Sequence, residues 1–229
     1  MQERVYHSFV YKEAVFRICC EQLEAVQEEI VRQRDLLEKY IGRHGDFGVS
    51  LAPVDCLCEA PESARQMALA GRLAGTGPMA AVAGAMAQRA ALAGLAAGAE
   101  EVIVDNGGDI FMKVVRRAAI RLYTGGTRLG GRLAFLLRPE DTPLAVCSSS
   151  SRMGHSMSLG DCDLATVTAA DAALADAAAT QAANLVKAER DIDGALEAIA
   201  GIAGIEGVLI VKNDRIGMAG KLPPLAKLR

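Results

Sequence analysis

Between residues 169 and 186 only two side chains are charged, Asp171 and Asp176, in a run that is otherwise mostly alanine. That composition suits a helix packed inside the protein better than one lying in water. Alanine is the strongest helix former, so the segment after Thr168 is expected to be helical, with Thr168 as N-cap and Asp171 closing a capping box. Asp176 lies two turns further in, where no capping role is available, and Thr180 and Asn184 follow at i+4 steps on the same face. A buried carboxylate is costly without a partner. The partner is a Lys or Arg, a set of backbone N–H groups, or a hard cation. Carboxylate and hydroxyl oxygens one turn apart suit Mg²⁺, which takes a few protein oxygens and completes its shell with water and ligand phosphate. The plainer alternative is a hydrogen-bonded core pair.

Three other stretches carry residue types with chemical use. Gly75, Gly77 and Ala80 satisfy a loose Gly-x-Gly-x-x-Ala pattern, but a helix rather than a strand precedes them, so a dinucleotide-binding βαβ unit is not expected. Gly77, Pro78, Met79 and Ala80 instead form a glycine-flanked helix start with Pro78 as its first residue. Such a start exposes N–H groups to which phosphate can bind; a tight connection between two packed helices is the competing reading. Asn106, Gly107, Gly108 and Asp109 make a polar turn between apolar β segments, and in a plain hairpin Asp109 would only brace it. Ser148 and Ser149 open a segment of hydroxyls and glycines that runs to Asp161 around His155, too polar for a core and too long for a simple turn. It reads as a binding loop. His155 there suits proton transfer or phosphate contact, against a structural hydrogen-bonded role.

These groups need a frame, and the rest of the chain supplies one. Residues 4–11 and 14–20 are β-rich and suggest an opening hairpin. Residues 21–44 follow as a long amphipathic helix, with Leu23, Val26, Ile30, Leu37, Tyr40 and Ile41 at helical spacing and Gln33 in one expected apolar slot. It is expected to pack on its own domain, with contact to a second copy in a homo-oligomer as the alternative. Asp46-Phe47-Gly48 resembles a kinase metal loop by accident, since no partner motif accompanies it. After a loop over 53–61 come a helix over 62–73 and a second, alanine-rich one over 78–99. Strands are expected over 101–105, 110–115, 118–123, 132–137 and 144–147. The turn between the third and fourth of these lacks the Lys-Ser/Thr of a phosphate-binding loop. A short helix over 193–200 and a hairpin of 207–212 with 216–219 end the chain.

Of 229 residues, 51% are hydrophobic and only 4% aromatic, so the core must be aliphatic and alanine-rich with closely approaching backbones. The net charge of −3 and the lack of a basic stripe interleaved with aromatics exclude nucleic acid as the main partner. The six cysteines have no C-x-x-C spacing, which points to reduced structural thiols. The N-terminus has acidic and polar residues where a signal peptide has a basic patch and an apolar core, so a cytoplasmic location is expected. The 78–99 stretch, broken by Gln88 and Arg89, reads as a buried helix and falls short of a membrane span.

In their order, GPMAAVAG (77–84), VIVDNGGDIF (102–111), CSSSSRMGHS (147–156) and ADAAATQAANL (175–185) resemble the ApbE-like superfamily, best known for the FAD:protein FMN transferases. The nearest resemblance is to a branch of uncharacterised ApbE-like proteins and covers most of the chain. It implies an α/β (α+β) fold with mixed or antiparallel sheets packed by Ala-rich helices, in one domain over 1–229 with residues 1–60 as a hairpin-plus-long-helix subregion. It also implies that FAD lies in a cleft with Mg²⁺ near its pyrophosphate. Asp176 and Thr180 match the transferases' metal-binding Asp and Thr, with a carbonyl in 80–84 as a third ligand. Asn106, Gly107, Gly108 and Asp109 match the stretch lining the flavin nucleotide site, and His155 matches the histidine of the following loop. The transferases carry a lysine in an Ala-Lys-Gly step where Ala83 here meets Gly84 directly. They also have an Asp-Pro-containing turn where His155 here is followed by SMSLGD. The function implied is Mg²⁺-dependent binding of a flavin or nucleotide, with transfer to an unidentified acceptor protein; the alternative is a non-catalytic ligand-binding protein or sensor using the same cleft.

Overall fold

The computed structural model describes residues 3–125, 127, 131–151 and 160–227. Its strands are β1 (His7–Tyr11), β2 (Ala14–Cys20), β3 (Val102–Asn106), β4 (Asp109–Lys113), β5 (Ala118–Leu122), β6 (Leu133–Leu137), β7 (Leu144–Ser149), β8 (Leu164–Ala169), β9 (Ile205–Lys212), β10 (Arg215–Gly220) and β11 (Leu225–Lys227). The helices are α1 (Leu23–Ile41), α2 (Gly45–Val49), α3 (Glu62–Ala74), α4 (Val82–Ala96), α5 (Ala172–Leu185) and α6 (Ile192–Ala200), and a 3-10 turn over Pro78–Ala81 leads into α4. Eight strands form one sheet in the order β1-β2-β3-β4-β7-β8-β9-β10, and β11-β6-β5 form a second. Every pairing is antiparallel. The fold is therefore mixed α and β with antiparallel sheets, as the resemblance implies.

Side-chain alternation along the large sheet builds two cores. Val102, Val104, Phe111, Ala145, Cys147, Val208 and Ile210 face the helices. Ile103, Met112, Leu144, Val146, Leu209 and Val211 face the other way, onto Leu133, Phe135 and Leu137 of the small sheet. Period-two geometry in strands buried on both faces yields this three-layer arrangement. The 78–96 segment is long and apolar enough by composition to cross a membrane, but it packs against α1, α5 and β3, which agrees with the buried-helix reading.

Local structure departs from the sequence reading at instructive places. Thr168 is not an N-cap but lies in β8, fully buried, where β-branched residues fit a central strand. Asp171 is the cap, accepting from the Leu174 N–H at 2.9 Å, and Gln88 Oε1 accepts the Ala172 N–H at 2.7 Å. Ser148 and Ser149 belong to β7 rather than to a loop. Asp46-Phe47-Gly48 lies in α2, where Phe47 is buried edge-on against Tyr40, ring centroids 5.1 Å apart. Gln33 is buried in the slot that α1's periodicity assigns it.

Candidate functional site

α5 is held so close to the start of α4 that only glycine fits at position 84. A Cβ there would lie 2.2 Å from the Ala172 carbonyl oxygen and 2.9 Å from the Asp176 Cβ. The close approach lets the Gly84 N–H donate to Asp176 Oδ2 at 2.9 Å, and the Ala83 N–H donates to the same carboxylate. Asp176 thus closes the N-terminal turn of α4 from outside, where the helix dipole favours an anion. Of the partners open to it from sequence, backbone N–H groups are present.

The β3–β4 hairpin brings in the second carboxylate. Gly107 (φ 70°) and Gly108 (φ 107°) form its two-residue turn, which demands positive φ at both positions. Asp109 continues the face of Phe111 toward the helices, and Asn106 continues that of Val104. Asn106 Nδ2 donates to the Ala83 carbonyl at 3.3 Å, tying the hairpin to the start of α4. Asp109 Oδ1 accepts the Ser148 N–H at 3.2 Å, and the Cys147 thiol is beside this carboxylate. Asp105, on the opposite face with Ile103, accepts the Gly108 N–H at 2.9 Å.

Asp109 and Asp176 are 8% and 7% exposed. Burial pushes Asp109 from 3.8 up to about 7, with the charge of Asp105 adding to the rise and the Ser148 N–H opposing it. Burial, then the neighbouring Asp109 charge, pushes Asp176 well above its ordinary value against the two N–H donors. Burial also raises Asp105. The buried Cys147 thiol is raised well above its usual range, first by burial and then by both carboxylates, so it is no thiolate nucleophile. Among the described residues neither Asp109 nor Asp176 is ion-paired with a Lys, Arg or His. Two interacting buried carboxylates in that state share a proton or take a cation.

Both line a cleft of about 1390 Å³. Thr180, one turn beyond Asp176 and nearly buried, is on its wall, as are Asn106, Gly107 and Gly108. So are Ser148, Ser149, Gly77, Met79 and Ala80. Pro78 is buried and does not line it. Gly77 is glycine for a different reason than phosphate access: a Cβ there would sit 1.8 Å from the Ser50 carbonyl oxygen. His155 lies outside the described residues. Thr76, Asp105 and Gln181 also line the cleft, and the sequence reading passed over them. Asp105 was findable, because strand alternation puts it on the face of Ile103 beside a glycine turn.

The donor set is made of carboxylate, hydroxyl and carbonyl oxygens, which fits a hard divalent cation. No cluster of three or more His, Cys, Asp or Glu side chains occurs among the described residues, so such an ion would complete its shell with Thr180, backbone carbonyl, water or ligand oxygens.

A family model described as AbpE bacteria matches residues 13–212. The UPF0280 protein of Methanocaldococcus jannaschii is 40% identical over 206 residues, 88% of this chain and 83% of that one. The UPF0280 protein of Archaeoglobus fulgidus is 38% identical over 225 residues, 95% of this chain and 93% of its own. Among solved structures, the flavinyl transferase ApbE of Pseudomonas stutzeri in its apo form superposes with a TM-score of 0.59 at 12% identity, covering 95% of this chain and 94% of that one. The flavin transferase ApbE of Vibrio cholerae gives 0.51 at 16% identity over 95% and 96%. At these identities the structural matches show a shared fold.

Proposed function

The chain belongs to the AbpE bacteria family, and from that premise we propose that its cleft binds a flavin nucleotide, FAD or FMN, together with Mg²⁺, and that it transfers the FMN moiety of FAD to an acceptor protein. The observation that carries this reading is the pair of buried, electrostatically interacting carboxylates, Asp109 and Asp176, on the wall of a cleft large enough for a dinucleotide, neither ion-paired among the described residues. Asp176 and Thr180 hold the ion, with Asp109 or a carbonyl of the 80–84 segment completing the protein's share. When bound, the ion neutralises phosphate charge and polarises the pyrophosphate.

In the proposed transfer an acceptor hydroxyl forms a new P–O bond at the FMN-side phosphorus, the bond to the bridging oxygen breaks, and AMP leaves. The hydroxyl proton passes to a base, for which His155 is the candidate from the sequence resemblance. The hairpin residues Asn106 to Asp109 and the strand residues Ser148 and Ser149 orient the nucleotide. The α4–α5 contact holds Asp176 still: Gly84 and Ala83 fix its carboxylate, and the absent Cβ at Gly84 fixes the helix spacing.

A second reading is a carrier or sensor that binds the same ligand without turnover. It is favoured at one point, where the transferases' lysine is missing and the backbone is internally bonded: Ala83 carbonyl to Asn106, Gly84 N–H to Asp176. Incubating the protein with FAD and Mg²⁺ and analysing for AMP tests the two. AMP release that is abolished by EDTA supports transfer; tight FAD binding with no AMP, even with candidate acceptor proteins added, supports the carrier.

A further inference from the structure

Four buried side-chain atoms have no hydrogen-bond partner among the described residues: Gln33 Oε1, Ser63 Oγ, Thr76 Oγ1 and Ser149 Oγ. They fall into two classes. Gln33 and Ser63 are in helices and do not line the cleft, whereas Thr76 and Ser149, only 3% and 7% exposed, do. A buried hydroxyl without a partner lowers stability, because it has given up water for nothing. Two such groups on the wall of one cavity have a common explanation that two in the core lack.

Their positions agree with that explanation. Thr76 sits between Gly75, the left-handed residue that ends α3, and Gly77, which is pressed on Ser50. A Cβ on Gly75 would lie 3.9 Å from Gln181 Nε2, which places this connection beside the turn of α5 that bears Thr180. Ser149 is on the helix-facing side of β7, two residues beyond Cys147, whose thiol reaches the Ala172 carbonyl at the start of α5. Both hydroxyls therefore flank the helix that carries Asp176 and Thr180. Each belongs to a residue that lines the cleft, and a hydroxyl has more than one staggered χ1 well to choose from.

We infer that Thr76 and Ser149 are phosphoryl-binding hydroxyls, whose acceptors are the oxygens of a pyrophosphate or phosphate ester beside the Asp109–Asp176 pair. The cleft wall carries Arg34, Arg121 and Lys187 as well as the carboxylates, and beside the carboxylates neutral O–H donors bind phosphate oxygens without adding repulsion. The inference rests on the proposed flavin-nucleotide reading for the placement of the phosphate, but the hydroxyls recognise the phosphoryl group and not the flavin.

The test is a pair of measurements on the full chain: melting temperature without ligand, and calorimetric affinity for FAD with Mg²⁺. Thr76→Val and Ser149→Ala remove the hydroxyl and keep the shape. Each is expected to weaken FAD binding by about tenfold to a hundredfold, the effect of losing one hydrogen bond to a charged group. Each is also expected to leave the ligand-free melting temperature unchanged or raised by a few degrees, on the order of 2–4 °C. Ser63→Ala, the core control, is expected to be equally tolerated with affinity within twofold of the parent. Affinity within twofold in both cleft variants overturns the inference, as does an affinity loss accompanied by a lowered melting temperature, since a purely structural hydroxyl gives that result. Magnesium pyrophosphate serves as the second probe. Hydroxyl-dependent binding of pyrophosphate without binding of FAD defeats the flavin reading and leaves this inference standing; no binding of either probe defeats both.

Discussion

Gly84→Ala tests the contact on which the whole site is built. The added Cβ meets the Ala172 carbonyl oxygen at 2.2 Å, its carbon at 2.8 Å and the Asp176 Cβ at 2.9 Å. Two of these atoms are backbone in the first turn of α5, whose N–H groups are already fastened to Asp171 and Gln88, so no side-chain rotation relieves the overlap. An ordinary contact needs about 1 Å more, and α4 and α5 must separate by that amount. The Gly84 N–H to Asp176 Oδ2 hydrogen bond, now 2.9 Å, then passes beyond bonding distance. Overpacking costs about 1–3 kcal/mol and the lost hydrogen bond about 1 kcal/mol more, against a gain of about 0.5–1 kcal/mol for alanine over glycine in a helix. The net loss is about 1–3.5 kcal/mol, a sizeable share of the 5–15 kcal/mol typical of a folded domain. Urea unfolding followed by circular dichroism measures it. Gly194→Ala, inside α6 with nothing within 4 Å of the new Cβ, is the matched control and should be neutral or slightly stabilising. A Gly84→Ala midpoint equal to the parent's would refute the claim that helix spacing at this point is fixed by the missing Cβ.

Other outcomes follow from the same geometry. Asp109 and Asp176 bind protons more tightly folded than unfolded, so the stability they confer is complete below their unfolded values near 4 and is lost as pH rises, for Asp109 through about 7. Metal-free protein should therefore lose stability over pH 5–8, by up to about 1.4 kcal/mol per pH unit for each group, as read by melting temperature against pH in EDTA. A melting temperature flat across that range would show that the carboxylates are not titrating there. Mg²⁺ competes with those protons, so the stabilisation it gives should be large at pH 8 and small at pH 5.5 in the same scans. Asp171→Ala removes the acceptor of the Leu174 N–H and should cost about 1 kcal/mol, lowering the melting temperature by about 2–4 °C with no change in affinity for FAD.

Much of the frame is legible in the sequence where local physics decides. The long helix, its polar Gln33 in an apolar slot, the opening hairpin and the Asn-Gly-Gly-Asp turn follow from periodicity and turn chemistry. The start of α5 does not, because Thr166 and Thr168 stand beside an alanine run and their burial between β7 and β9 is a tertiary fact. A strand buried on both faces shows no alternation of polarity, so β8 has no sequence signature of its own. The order of the strands is equally hidden, since β8 pairs with β9 across α5 and α6. At the site, Asp176 and Thr180 stand out as oxygen groups in an apolar helix. Asp105 is legible only through strand alternation beside the glycine turn, and nothing in the sequence tells that Thr76 and Ser149 lack partners. Gly77 is a glycine that the sequence leaves open between phosphate access and close packing, and its missing Cβ makes room for the Ser50 backbone.

The central claim is that Asp109 and Asp176 are kept together to hold a divalent ion. Titration of the protein with Mn²⁺, a paramagnetic stand-in for Mg²⁺, at pH 8 with bound and free ion resolved by electron paramagnetic resonance, measures this directly. One bound ion per chain in the parent, displaced by Mg²⁺ and lost in Asp176→Asn and in Asp109→Asn while both variants melt at or above the parent's metal-free temperature, is the predicted result; the same bound ion retained in the Asp109→Asn/Asp176→Asn double variant would contradict it.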